Sequence, residues 1–167
     1  LHNGLKCMDA SHSNELRSNT VTNSRSSAVC IVDSNGVEVT ENTIRTGATN
    51  GIFVQRSKKA RLLRNTIQAM GHNGICLAEK STAATGSNRI SGCRRYGMSS
   101  QPGTALTTVG DRLTGNTKGQ GIAQGSKNMK FSTLGSTRLV GGRIRRGKYK
   151  GKIALQWKAV SGAKQYV

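Results

Sequence analysis

Apolar residues along this chain alternate with polar or small ones in short runs, never at helical spacing. Gly51-Ile52-Phe53-Val54 and Gly74-Ile75-Cys76-Leu77 each read as a strand of period two. A second run, such as Val37-Glu38-Val39, follows a turn containing Ser34 or Ser57, and a third run ends in Ile44 or Ile67. No segment has the i, i+3, i+4 pattern of an amphipathic helix. No apolar stretch approaches the roughly 18 residues that a membrane-spanning helix needs.

The runs recur. Asn19, Asn42, Asn65 and Asn88 are spaced 23 apart, and the first three are followed by Thr. A second register falls at Gly4, Ala28, Gly51, Gly74, Gly97 and Gly121, each followed by an apolar residue: Leu5, Val29, Ile52, Ile75, Met98 and Ile122. Several short strands per copy, with no helix, imply coils that stack on one another as a β-solenoid. Stacking brings equivalent positions to about 4.8 Å. Each buried Asn amide then has an Asn above to accept from and one below to donate to. Copies of this length are too short for propeller blades, whose repeats run to about 40 residues.

The pattern Asn-x-Ile, Gly-Ile-x-Val, Ser, then Val or Ile resembles the parallel β-helix repeats of the pectin lyase-like superfamily. The resemblance spans residues 2–140 and implies an all-β, right-handed parallel β-helix of about six coils over residues 1–140. Asp111 stands for Asn in the fifth coil, and the sixth is irregular around Leu134 to Leu139, as expected of a capped end. The superfamily includes lyases, hydrolases, epimerases and non-catalytic surface proteins, so the resemblance specifies fold more than chemistry. It implies a secreted or cell-surface bacterial protein. It also implies that the outward face of the first strand carries the substrate groove. By alternation, Leu5, Cys7, Val29, Ile31, Ile52, Val54, Ile75 and Leu77 point inward, and Lys6, Cys30, Phe53, Cys76 and Ser99 point outward. That outward row is mostly apolar or small.

Residues 141–152 are rich in Gly, Lys and Arg and read as a linker. Residues 153–167, with Leu155, Trp157, the turn Val160-Ser161-Gly162-Ala163 and Tyr166, resemble the truncated start of a fibronectin type III β-sandwich. The chain starts at Leu1 and stops at Val167 within a pattern, so both ends read as cuts in a longer protein.

Charge sharpens the functional expectation. Residues 1–50 carry four basic and five acidic side chains, whereas residues 51–167 carry 22 basic and two acidic ones. Such a field draws polyanions. Aromatics make up only 4% of the chain, which gives nucleic-acid bases few surfaces to stack on. No helix-turn-helix pattern is present, and nucleic acid is not the expected partner. The four cysteines, Cys7, Cys30, Cys76 and Cys93, form no CxxC pair, and His2, His12 and His72 share no metal spacing. The expectation is free thiols and no dedicated metal centre. There is no GxSxG, phosphate-binding loop or HExxH.

One constellation carries candidate chemistry. Asp9, Asp33, Arg56 and Glu79 each follow a glycine-like position by five residues, so stacking aligns them. Adjacent carboxylates bind Ca²⁺ through oxygen ligands, or raise one pKa for acid–base work. Asp9, Asp33 and Glu79 are therefore the candidate catalytic residues. Arg56 beside them suits bidentate binding of a sugar carboxylate, and Lys58, Lys59 and Arg61 extend the candidate substrate-binding side, with Arg64 beyond. The expected function is binding and cleavage of an acidic polysaccharide by a lyase or hydrolase. The alternative is a non-catalytic scaffold that binds glycan or cell wall.

Overall fold

The computed structural model describes residues 4–123, 129–132, 140–143 and 153–156, with side chains for 4–122. The chain divides into two compact units, Leu1–Ser132 and Thr133–Val167.

The first unit is a stack of three-stranded coils. Coil one holds β1 (Leu5–Cys7), β2 (Glu15–Arg17) and β3 (Thr20–Ser24). Coil two holds β4 (Val29–Val32), β5 (Glu38–Thr40) and β6 (Thr43–Gly47). Coil three holds β7 (Ile52–Gln55), β8 (Ala60–Leu63) and β9 (Thr66–Met70). Coil four holds β10 (Ile75–Ala78), β11 (Thr82–Gly86) and β12 (Arg89–Ser91). Coil five holds β13 (Tyr96–Ser100), β14 (Ala105–Val109) and β15 (Arg112–Thr114), and a sixth begins with β16 (Gly119–Ala123) and β17 (Met129–Ser132). First, second and third strands pair in parallel with their counterparts in neighbouring coils, giving sheets I, II and III of six, six and five strands. The third strands run on past Ile44 and Ile67, to Gly47 and Met70, because those isoleucines occupy the second strand position and not the last.

The register keeps like with like. Leu5, Val29, Ile52, Ile75 and Met98 form one row of sheet I, and Val21, Ile44, Ile67 and Ile90 form a row of sheet III. Val39 and Leu62 lie opposite each other in sheet II, as do Ala83 and Leu106. These rows meet in one buried core. One register differs from the sequence expectation. Gly121 pairs with Met98 and Ile122 with Ser99, so Ile122 joins the outward row. Backbone bonds from Thr117 to Cys93 and from Lys118 to Arg95 hold this coil at 23 residues, which overrides the 24-residue glycine spacing.

The turn from sheet II to sheet III is built on asparagine. Asn65 is fully buried. Its Oδ1 accepts from the Asn42 backbone N–H at 3.0 Å and from Asn42 Nδ2 at 3.0 Å. Its Nδ2 donates to the Val39 carbonyl at 2.8 Å and to Asn88 Oδ1 at 3.0 Å. The ladder runs from Asn19 to Asp111, whose Oδ1 accepts from Asn88 Nδ2 at 2.7 Å and whose Oδ2 accepts from Thr85 at 2.6 Å. A row of serines follows sheet I, where the Ser34 N–H donates to Ser57 Oγ and the Ser57 N–H to Ser81 Oγ.

In the second unit, β18 (Val140–Arg143) pairs antiparallel with β19 (Ile153–Gln156). Residues 141–143 of the expected linker thus form part of a strand. Trp157, the turn at 160–163 and Tyr166 lie outside the described residues, as does the irregular stretch from Leu134 to Leu139.

Candidate functional site

The turn leaving sheet I adopts the same left-handed backbone in successive coils, with φ of 54° at Asp9, 50° at Asp33, 47° at Arg56 and 48° at Glu79. Non-glycine residues rarely occupy this region. Its repetition holds these four residues at one place in each coil and directs the charged side chains into a column.

Three of the four come together through their side chains. Arg56 lies between two carboxylates: Nε and Nη2 each donate to Asp33 at 2.8 Å, and Nη1 donates to Glu79 Oε2 at 2.6 Å. Gln55 adds a bond to Glu79 Oε1 at 2.5 Å. The side chains are half exposed, at 47% for Arg56, 44% for Asp33 and 53% for Glu79, so the triad faces water. Asp9 stacks next to Asp33 through the backbone, with the Ala10 N–H donating to the Asp33 carbonyl at 3.0 Å. Its own carboxylate has no ion pair among the described residues.

This geometry reverses one expectation. Neighbouring carboxylates were expected to raise a pKa, yet hydrogen bonds from Arg56 hold Asp33 and Glu79 below their ordinary values. The Arg56 guanidinium lies between the two carboxylates and is itself pushed further towards the charged form. Among the described residues no three His, Cys, Asp or Glu side chains converge on a metal-sized point.

The cations assigned to substrate binding are partly engaged. Arg61 donates to Glu38 Oε1 at 2.6 Å on the outer face of sheet II. Lys58 Nζ donates to the Lys80 carbonyl, while the Lys58 N–H binds Asn35 Oδ1 at 2.7 Å. Lys59 is exposed, and its N–H binds Thr82 Oγ1 at 2.8 Å. Arg64 and Arg17 both bind Glu41, whose carboxyl is held low mainly by the Arg64 hydrogen bond.

The outward row of sheet I runs Lys6, Cys30, Phe53, Cys76, Ser99 and Ile122. Cys30 and Cys76 lie in this row yet are buried, and all four cysteines are free thiols. Burial pushes the Cys76 thiol up to about 11.

The fold also sorts charge in a way that reading by halves did not reveal. All seven acidic residues fall between the end of a sheet I strand and the start of the next sheet III strand. Sheet III, the turn from it to sheet I, and sheet I itself carry none. The exposed cations of sheet III and that turn are Arg25, Arg45, Arg89, Arg94, Arg95, Arg112 and Lys118. None has a carboxylate partner among the described residues. Writing the sequence in rows of 23 and reading Asp and Glu by column exposes this asymmetry.

The family described as "Right handed beta helix region" matches residues 2–133. The chain belongs to this family. Among solved structures the β-helix is similar to the periplasmic alginate epimerase AlgG, with a TM-score of 0.74 and 19% sequence identity. The match covers 79% of this chain and 36% of that one, so the chain spans little more than a third of that structure. At this identity the likeness is one of fold. No curated protein matches the sequence.

Proposed function

We propose that this β-helix belongs to a secreted or cell-surface bacterial protein that binds an acidic polysaccharide. The observation that carries this reading is the separation of charge around the coil. A carboxylate-free flank with exposed arginines attracts a polyanion and does not repel it locally. Threonines such as Thr22, Thr43 and Thr66 on the same sheet offer hydroxyl partners for sugars. The fold shared with a periplasmic alginate epimerase supports a polysaccharide partner and a location outside the cytoplasm. On this reading Arg56, Lys58 and Lys59 bind polymer along the turn beside sheet I, with Arg61 on the adjoining face of sheet II. Asp9, Asp33 and Glu79 are, on the same reading, the candidate carboxylates for lyase or hydrolase chemistry. Residues 153–167 begin a fibronectin type III module.

A specific observation favours a second reading, a non-catalytic scaffold. Arg56 clamps Asp33 and Glu79 in their ionised forms, which suits neither a general acid nor a reactive base. Product release separates the two. The chain is incubated with acidic and neutral polysaccharides while new reducing ends and unsaturated uronates are followed. Turnover that disappears in Asp33→Asn supports catalysis on the carboxylate column. Binding without product supports the scaffold. Binding to neutral polymers alone contradicts the first reading, and absence of binding to any polymer contradicts both.

A further inference from the structure

The ends of the third strands repeat one backbone conformation just before the turn from sheet III to sheet I. Asn23, Thr46 and Ala69 all take positive φ, at 54°, 53° and 55°. The β-branched Thr46 is an uncommon occupant of that region. Interstrand bonds then lock the next residues in step: Ala48 N–H to the Ser24 carbonyl at 2.8 Å, Gly71 N–H to the Gly47 carbonyl at 2.7 Å, and Arg94 N–H to the Met70 carbonyl at 2.9 Å. The result is a column of Arg25, Ala48, Gly71 and Arg94.

Two arginines therefore bracket two small residues. Ala48 and Gly71 form part of the floor of an open groove of about 440 Å³, and both arginines line it. A side chain at position 71 would collide with the Ala48 carbonyl oxygen, so the floor stays low there. Three coil steps separate Arg25 from Arg94, about 14 Å at the spacing of paired strands. Neither has a carboxylate partner among the described residues, in contrast to Arg56, Arg61 and Arg64 on the opposite flank.

We propose that this groove is a two-point anion site, in which Arg25 and Arg94 each bind a carboxylate of one acidic polysaccharide chain running along the coil axis. The assignment rests on the polysaccharide reading above and names a site that the turn beside sheet I does not include. A guanidinium fork matches a carboxylate in two parallel hydrogen bonds, which a lysine cannot reproduce. The separation selects for length. A single uronate reaches one arginine, whereas a chain spanning the groove makes its second contact intramolecularly. Asn23, Ser24 and Thr46 along the groove offer amide and hydroxyl partners for sugar hydroxyls, and among the described residues that line it none is an aromatic ring for a base to stack on.

The test uses the full chain and follows the arginine Nε–H resonances during titration with galacturonate as monomer, dimer and octamer. The octamer is expected to move the Arg25 and Arg94 signals together and to bind at least about tenfold more tightly than the dimer. Ala48 is exposed, so Ala48→Glu places a carboxylate between the arginines without touching the core, and Ala48→Gln is its neutral control. Ala48→Glu should cost about tenfold or more in octamer affinity, while Ala48→Gln stays close to the parent. Equal affinity of the two variants, or octamer binding that leaves both arginine signals in place, overturns the site while the polysaccharide reading stands. No octamer binding, with Arg25 and Arg94 responding to polyphosphate or single-stranded DNA, overturns the polysaccharide assignment itself.

Discussion

Asn65 shows how much one side chain does in this fold. Its amide closes a turn and links three successive coils through direct hydrogen bonds. Truncation to alanine removes the acceptor of the Asn42 N–H and the amide donor to the Val39 carbonyl, each deficit costing about 1–3 kcal/mol, while Asn88 Oδ1 keeps the Asn65 backbone N–H. Asn65→Ala should therefore lose about 3 kcal/mol or more in urea denaturation. Asn19→Ala, at the more exposed end of the ladder, should lose clearly less. Arg56 gives a pH-dependent counterpart. Asp33 and Glu79 titrate below their ordinary 3.8 and 4.5 in the folded chain. Their contribution is full above those values and fades as pH falls through the lower folded ones. Arg56→Gln should narrow the difference in melting temperature between pH 6 and pH 3. An unchanged difference would mean that the exposed triad contributes nothing measurable.

At the scale of strands, stability comes from rows rather than isolated contacts. Ile67 is fully buried between Ile44 and Ile90, and Ile67→Ala should cost about 2–5 kcal/mol. Cys76 lies in the outward row of sheet I but is buried, with its thiol held in the protonated form. A small alkylating reagent at neutral pH should modify Cys76 only at the rate of unfolding, as followed by mass spectrometry across a urea series. Rapid labelling of the native chain would contradict its burial. Much of this level was legible in the sequence, because a period of 23 residues, with one step of 24 between Leu5 and Val29, converts position into place. The Asn row, the inward row of sheet I and the Asp33–Arg56–Glu79 column all follow from it. The ion pairing was harder to see, since stacking distance alone does not show that a guanidinium sits between the carboxylates and lowers both. The sixth register was hidden for a different reason: glycine spacing suggested 24 residues, while backbone pairing from Cys93 and Arg95 enforces 23.

At the scale of the molecule the decisive property is where charge lies around the coil. The net charge of +19 says only that polyanions are attracted. The fold adds that carboxylates neutralise one flank, through Glu38, Glu41, Asp33 and Glu79, and leave sheet III and its following turn unopposed. This flank was not legible by dividing the chain into halves, because it is assembled from short segments of every coil. The measurement that tests the account most directly is calorimetric titration of the full chain with a polyuronate and with a neutral glucan, at low and at high salt. Saturable binding to the polyuronate that weakens as salt rises, with none to the glucan, is the predicted result. No binding to the polyuronate, or equal binding to both polymers, would contradict it.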